Sequence, residues 1–176
     1  MNWINLDRLA AQTAHRIIEV VGKDVKDKKQ VKASEVDTFA TKALGVLQEQ
    51  GAYAGMLFLL SRSGDKTETI KQGNEEAIAC RTAAELLNLL NHGDLSSLDL
   101  KINDGGWATD PGQVNDDKNK KEILDHFAEN VAADIHKLLS IKALFEQVLT
   151  YTRYSAKALS KSEDVTEEQS AEGGTS

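Results

Sequence analysis

Apolar residues recur at three- and four-residue spacings along most of the chain, a pattern that predicts amphipathic helices. The first predicted helix runs from about Asn5 to Val21 and ends near Gly22. The second begins after Ser34, which we expect to cap it. Gly51 marks a turn, and the third helix, residues 52–62, is apolar almost all round, as expected of a central buried helix. The apolar stripe of the second helix consists of Val36, Phe39, Ala40, Ala43, Leu44 and Leu47.

The second half of the chain predicts fewer but longer helices. A fourth helix opens at Asn74 and closes near Gly93. The longest break, residues 102–117, is rich in Gly, Asn and Asp, which favour turns. Residues 118–160 contain neither Gly nor Pro and predict one long helix, or two helices joined near Ser140. Its apolar stripe consists of Ile123, Phe127, Val131, Ile135, Leu138, Leu139, Leu144, Phe145, Val148, Leu149 and Thr152.

These elements together predict an all-α fold, a single-domain bundle of about five to six helices over residues 1–160. Residues 161–176 are rich in Ser, Glu, Thr and Gly, which predicts a disordered acidic tail. The longest apolar stretch, residues 52–60, is too short to span a bilayer. The first residues do not resemble a signal peptide, so we expect a cytoplasmic protein that is not in a membrane.

The candidate chemistry for catalysis or for a metal is sparse. The single cysteine, Cys80, falls in a helical pattern and is expected to be a buried small hydrophobe. His126 and His136 stand ten residues apart, about 15 Å along a helix, so they are not expected to share a metal there. We therefore predict no cofactor, no metal and no enzymatic activity.

One pair of residues leaves a catalytic alternative open. Arg8 and His15 lie seven residues apart on the first helix, on neighbouring faces. An Arg followed by a His at a short spacing resembles the motif of the helical HEPN ribonucleases, which implies metal-independent cleavage of RNA. The other interpretation is that both are ordinary residues on a polar helix face.

The net charge of −7 argues against generic nucleic-acid binding, but the charge is unevenly distributed. Residues 160–176 hold one Lys and five acids, a net of −4, which leaves −7 − (−4) = −3 for the rest. On the last helix, basic residues at 142, 153 and 157 fall near one stripe, flanked by Tyr151 and Tyr154. Arg binds phosphate oxygens and Tyr stacks on bases, so this stripe predicts an RNA-backbone surface unless it is only a solvated face. The candidate RNA-binding residues are Arg16, Lys42, Arg62, Lys142, Arg153 and Lys157.

Two segments carry a resemblance to a known family. Leu44–Arg62 has an apolar helix, a polar pair, Gly51 and a second apolar helix that ends in Ser-Arg, and Tyr151–Leu159 places aromatic and basic residues before Ala-Lys-Ala. Both resemble the small helical subunit of Cmr-type (type III-B) CRISPR RNA-targeting complexes. The resemblance implies a non-catalytic role in antiviral defence, in which copies of the subunit stack along the guide–target RNA duplex beside other complex subunits. It also implies that Gly51 is the helix-pair junction.

We therefore expect a subunit of a ribonucleoprotein complex that helps to hold target RNA through backbone contacts, with guide RNA, target RNA, other Cmr-type subunits and further copies of itself as partners. Because the net charge is low for an RNA-facing protein, the subunit alone should bind RNA weakly and in a salt-sensitive way. The main alternative is a helical protein–protein adaptor that does not bind nucleic acid.

Overall fold

The structure is a computed structural model of the full chain. It describes the backbone of residues 5–23, 31–64, 74–93, 95 and 111–172, and the side chains of most of these up to residue 160. Within these ranges the chain is helical and no strand is present, which confirms the predicted all-α fold. Six of the helices in these ranges have ten residues or more. The helices are α1 Leu6–Lys23, α2 Ala33–Gln50, α3 Ala52–Arg62, α4 Asn74–Leu90, the single turn α5 Pro111–Val114, α6 Asp117–His126 and α7 Ile135–Glu172.

Helix α7 is the long element against which the others are arranged. It packs most extensively on α2, and also on α1 and α3, while α4 packs on α1, α2 and α3. Asp37 of α2 lies beside Arg153 of α7, and Gln48 lies beside Lys142, so the two helices run antiparallel. The buried residues form one core, whose largest members include Phe127, Phe145, Ile17, Met56, Leu60 and Leu87.

Helices α2 and α3 follow the sequence closely. All six predicted stripe residues of α2 are buried. The helix starts two residues earlier than predicted, and Ser34 is not its cap: the Glu35 carboxylate accepts a hydrogen bond from the Lys32 backbone N–H at 2.9 Å. Gly51 joins the helices with φ 91° and ψ −178°, and a Cβ on Gly55 would lie 3.0 Å from Leu47 Cδ1. The lack of a side chain at Gly55 therefore lets α3 cross close to Leu47 of α2.

The buried character predicted for α3 holds for only one side of that helix. Met56, Leu59 and Leu60 are buried, but Tyr53 and Leu57 are exposed, four residues apart on the outer face. The composition of an apolar helix does not show which side its neighbours cover. Since α2, α4 and α7 do not surround α3 completely, its outer apolar side chains remain in contact with solvent.

The junction in the second half lies earlier than expected. A π-helical segment, Phe127–Val131, follows α6, and α7 begins at Ile135. Asp134 Oδ1, not Ser140, caps α7 by accepting from the His136 N–H at 2.8 Å and the Lys137 N–H at 3.3 Å. These two backbone hydrogen bonds lower the pKa of Asp134.

This interruption changes which residues face the core. Val131 is buried, but Ile135 and Leu139 are 57% and 55% exposed, so the predicted stripe is wrong at these two positions. The π segment and the break reset the helical phase between α6 and α7. Counted at 3.6 residues per turn, Leu139 lies roughly 140° around α7 from the centre of its own buried stripe.

Part of the predicted long break forms structure that anchors α4. The turn α5 and the start of α6 occupy 111–117, which were expected to belong to the break. Cys80 of α4 is buried as predicted, and its thiol donates to Asn115 Oδ1 at 2.7 Å. Asn115 is itself buried, so this hydrogen bond ties the α5–α6 corner to α4.

The last helix continues beyond the bundle. Ala156 is its last fully buried described residue, while its backbone stays helical to Glu172, into the segment for which composition predicted disorder. The division into a bundle at 1–160 and a tail at 161–176 stays a prediction. In the ranges described, no helix combines the length and apolarity needed to cross a membrane.

Candidate nucleic-acid interface

Two of the candidate cations lie on the seam between α2 and α7. Lys142 Nζ donates to the Gln48 carbonyl at 3.0 Å and lies 3.6 Å from Glu146 Oε1. Arg153 Nε lies 3.4 Å from Asp37 Oδ1. Eleven residues separate the two cations, which is about three helical turns or about 16 Å, so they share one side of α7 as the sequence predicted.

The exposed part of this side carries the aromatic group expected there. The Arg153 guanidinium lies over the Tyr154 ring, 5.8 Å from its centroid, and Tyr154 is 61% exposed. Lys157, one turn further along, is also exposed. Tyr151 turns the other way: its hydroxyl donates to Asp7 Oδ1, and Gln147 Nε2 donates to the same carboxylate oxygen at 2.8 Å. Tyr154 is thus available for stacking, while Tyr151 fastens α1 to α7.

Two other candidate cations converge on one carboxylate. Lys42 Nζ lies 3.8 Å and Arg62 Nη1 lies 3.5 Å from Glu75 Oε1. We call Lys42, Arg62 and Glu75 the Glu75 cluster. Its three side chains come from α2, α3 and α4, and the two cationic side chains are about half exposed. The cluster therefore joins a basic residue from each of two helices at one point of the surface.

The Glu75 cluster borders a cavity of about 280 Å³ between α2 and α4. Phe39 stacks on Phe58 at 5.8 Å between ring centroids, and the Arg62 guanidinium lies 5.7 Å from the Phe58 centroid. The Arg62 guanidinium therefore packs on the face of Phe58, which in turn packs on Phe39. The cavity is lined by Ser34, Glu35, Thr38, Phe39, Lys42, Glu75 and Ile78.

Arg16 lies in a different place. Its Nε donates to Glu85 Oε2 at 2.9 Å, and its Nη2 donates to Thr13 Oγ1 at 2.9 Å, which joins α1 to α4. The described contacts do not connect Arg16 with the Glu75 cluster or with the α2–α7 seam. On α2 itself, Lys42 lies five residues after Asp37, about 140° around the helix, so the cluster and the seam occupy different faces. The six candidates therefore fall into three groups.

Carboxylates accompany nearly all of these cations, and sequence reasoning missed them. Asp37, Glu75, Glu85 and Glu146 each lie within 4 Å of a candidate basic nitrogen. Glu146 was visible in the sequence as an i,i+4 partner of Lys142. The others come from distant positions, such as the 69 residues between Arg16 and Glu85, and no local spacing identifies such a partner.

The pairs are weak enough for the cations to exchange partners. Partly exposed ion pairs contribute about 0–1 kcal/mol each, because water screens them and the side chains lose freedom. An RNA phosphate offers an Arg or Lys two or more charged oxygens, which makes it a competitive acceptor. Chemically, these surfaces are suited to binding a polyanion without reading its sequence.

The residues of the ribonuclease hypothesis are both exposed on α1. His15 Nε2 lies 3.6 Å from Glu19 Oε1, and the His15 side chain is 74% exposed. Arg8 is also exposed, and its backbone N–H donates to Asn5 Oδ1 at 2.9 Å. A catalytic role for this pair stays a prediction.

Chemical groups for metal binding are not brought together in the part of the chain that the structure describes. No set of three or more His, Cys, Asp or Glu side chains there could hold a metal ion. Comparison with protein-family models, with curated proteins and with solved structures finds no significant match to this chain.

Proposed function

We propose that this protein is the small, non-catalytic helical subunit of a Cmr-type (type III-B) CRISPR ribonucleoprotein complex in antiviral defence. In this role it stacks along the guide–target RNA duplex and helps to hold the target strand by its phosphates. The observation that carries the proposal is the side of α7 on which Lys142, Arg153, Tyr154 and Lys157 follow one another. The resemblance of Leu44–Arg62 and Tyr151–Leu159 to the small Cmr-type subunit is its second support.

The chemistry of this side of α7 suits a phosphate backbone. A guanidinium has donors arranged for two phosphate oxygens, and Arg153 is steadied by the Tyr154 ring. Lys157 adds an exposed ammonium about 6 Å further along the helix axis. None of these groups distinguishes one base from another by hydrogen bonding, so sequence would be read by pairing with the guide RNA.

The carboxylates around the cations fit a subunit that works within an assembly. Asp37 and Glu75 lie beside Arg153, Lys42 and Arg62, which lowers the positive potential of the isolated chain. We therefore expect weak, salt-sensitive RNA binding by the free protein and stronger retention when other subunits and further copies present RNA to it.

The test is retention of target RNA by the purified complex carrying Arg153→Glu with Lys157→Glu. The variant should lose at least about tenfold in RNA affinity, since two phosphate contacts of about 1 kcal/mol each are replaced by repulsion. Lys118→Glu with Lys121→Glu is the matched control, because it changes the charge equally on the exposed surface of α6. Retention equal to that of the control would show that α7 does not contact the RNA.

A protein–protein adaptor is the second candidate function, and specific exposed residues favour it. Tyr53 and Leu57 on α3 and Ile135 and Leu139 on α7 form two i,i+4 apolar pairs on the surface. If this function is right, Leu57→Lys or Leu139→Lys should release the protein from its complex, while the charge reversals on α7 leave both assembly and RNA content unchanged.

A further inference from the structure

The geometry of the Glu75 cluster differs from that of a tight salt bridge. Glu75 Oε1 lies 3.8 Å from Lys42 Nζ and 3.5 Å from Arg62 Nη1, beyond the usual length of a hydrogen bond. That oxygen is buried from solvent and accepts no hydrogen bond from the described residues. The carboxylate therefore holds the two cations mainly by charge and leaves their donors available for a better-placed acceptor.

The same arrangement occurs at a second cation of the proposed surface. Arg153 Nε and Asp37 Oδ1 are 3.4 Å apart, and neither atom has a hydrogen-bond partner among the described residues. Arg16, which lies apart from both places, instead makes a 2.9 Å hydrogen bond to Glu85. Loose ion pairing is thus found at Arg153 and in the Glu75 cluster, whereas Arg16, another of the six candidates, is tightly paired.

The surroundings of Glu75 allow an exchange of partners without rearrangement of the bundle. Arg62 stacks on Phe58, which stacks on buried Phe39, so the guanidinium has support that does not depend on Glu75. The cavity of about 280 Å³ beside Glu75 provides space into which either the carboxylate or an incoming phosphate can move. With Glu75 displaced, Lys42 and Arg62 would present two positive charges to the same anion.

We propose that Glu75 is an internal competitor for RNA phosphate: in the free protein its carboxylate occupies the position between Lys42 and Arg62 that a backbone phosphate takes in the RNA-bound state. This inference rests on the proposed function and adds a regulatory device to it. While the Glu75 carboxylate occupies this position, it lowers the affinity of the free protein for RNA outside the complex. The high local phosphate concentration of an assembled guide–target duplex displaces the carboxylate.

The test compares Glu75→Gln with Glu129→Gln in the full chain, using a fluorescently labelled RNA duplex and anisotropy at several salt concentrations. Both substitutions change the net charge by +1, but Glu129 is exposed on the π segment and has no described contact with the cluster. Glu75→Gln should bind RNA about two- to fivefold more tightly than the control, the range expected when a partly exposed ion pair is removed. Its affinity should also fall more steeply with salt, by up to about one further phosphate contact.

A second background separates this inference from the proposed function. With Lys42→Gln and Arg62→Gln present, Glu75→Gln should give no gain over Glu129→Gln. Equal affinities of the Glu75 and Glu129 variants, with binding still weakened by the loss of Lys42 and Arg62, would overturn the competitor role and leave RNA binding intact. No effect of removing Lys42 and Arg62 would overturn both the inference and the use of these residues in RNA binding. Thermal unfolding of each variant checks that the fold is retained.

Discussion

The junction between α2 and α3 provides a sharp test of the fold, because three glycines there have different surroundings. Gly51 has φ 91° and ψ −178°, a backbone conformation that is essentially restricted to glycine. A Cβ on Gly51 would meet no atom within 4 Å, so the cost of Gly51→Ala comes from the backbone alone. We expect a loss of about 1–3 kcal/mol in the free energy of unfolding.

Gly45 and Gly55 are the matched controls, since both are helical glycines changed to the same residue. A Cβ on Gly45 meets nothing within 4 Å, so Gly45→Ala should stabilise the protein by about 0.5–1 kcal/mol through helix propensity. A Cβ on Gly55 would lie 3.0 Å from the Leu47 Cδ1, whose side chain is buried. There the gain in propensity opposes overpacking, and we expect a net loss of up to about 2 kcal/mol.

The assay is urea unfolding followed by far-ultraviolet circular dichroism, with one slope fitted to all four proteins. At about 2 kcal/mol per molar urea, the Gly45 and Gly51 variants should differ by about 0.8–2 M in midpoint. A Gly51→Ala midpoint at or above that of the wild type would refute the positive φ at this residue. It would also remove the reason for the sharp turn that pairs α2 with α3.

Two further predictions concern a buried thiol and a half-buried imidazole. Cys80→Ala should lower the free energy of unfolding by about 1–3 kcal/mol, because it leaves the buried side-chain oxygen of Asn115 without its donor. Cys80→Ser should lose less, since a hydroxyl can still donate. Equal losses of the two variants in chemical denaturation would contradict the hydrogen bond. Burial, and then the charge of Lys137, lower the pKa of His126 from its usual 6.5, so the unfolded chain binds a proton first as the pH falls. The contribution of neutral His126 to stability is therefore complete above about pH 6.5 and is lost as the pH falls toward its folded pKa. His126→Gln should flatten this part of the curve of unfolding free energy against pH. An unchanged curve would contradict the prediction.

The bounds of α3 and the buried stripe of α2 were predictable from the sequence. Residues 52–62 were predicted as α3 and form Ala52–Arg62, because Gly51 and the apolar run set both ends locally. The six-residue stripe of α2 is buried as predicted. A helical stripe needs only one phase, and α2 keeps that phase from end to end.

The segment from α6 to α7 shows where periodicity fails. In the sequence an apolar stripe continues across residues 127–139, but in the structure the π segment and the turn before Ile135 change the helical phase. Asp134 was the available signal in the sequence, since Asp is among the residues preferred at N-cap positions. Its two accepted backbone hydrogen bonds show why α7 begins there and not at Ser140.

The candidate site was predictable only in part, because helix periodicity places a side chain around its own helix and says nothing of the charge opposite. Lys142 and Arg153 share a side of α7 as expected, whereas Asp37 and Glu75 reach the cations from other helices.

Because these carboxylates pair with the cations, the net charge alone does not predict whether the surface binds RNA. A surface whose cations are loosely paired has little positive potential when free, yet it can bind phosphate wherever phosphate is concentrated enough to displace the carboxylates. The net charge of −7 therefore argues against tight RNA binding by the free chain in bulk solution and is compatible with RNA binding inside an assembly. The salt dependence of the Glu75→Gln variant distinguishes these two conditions directly.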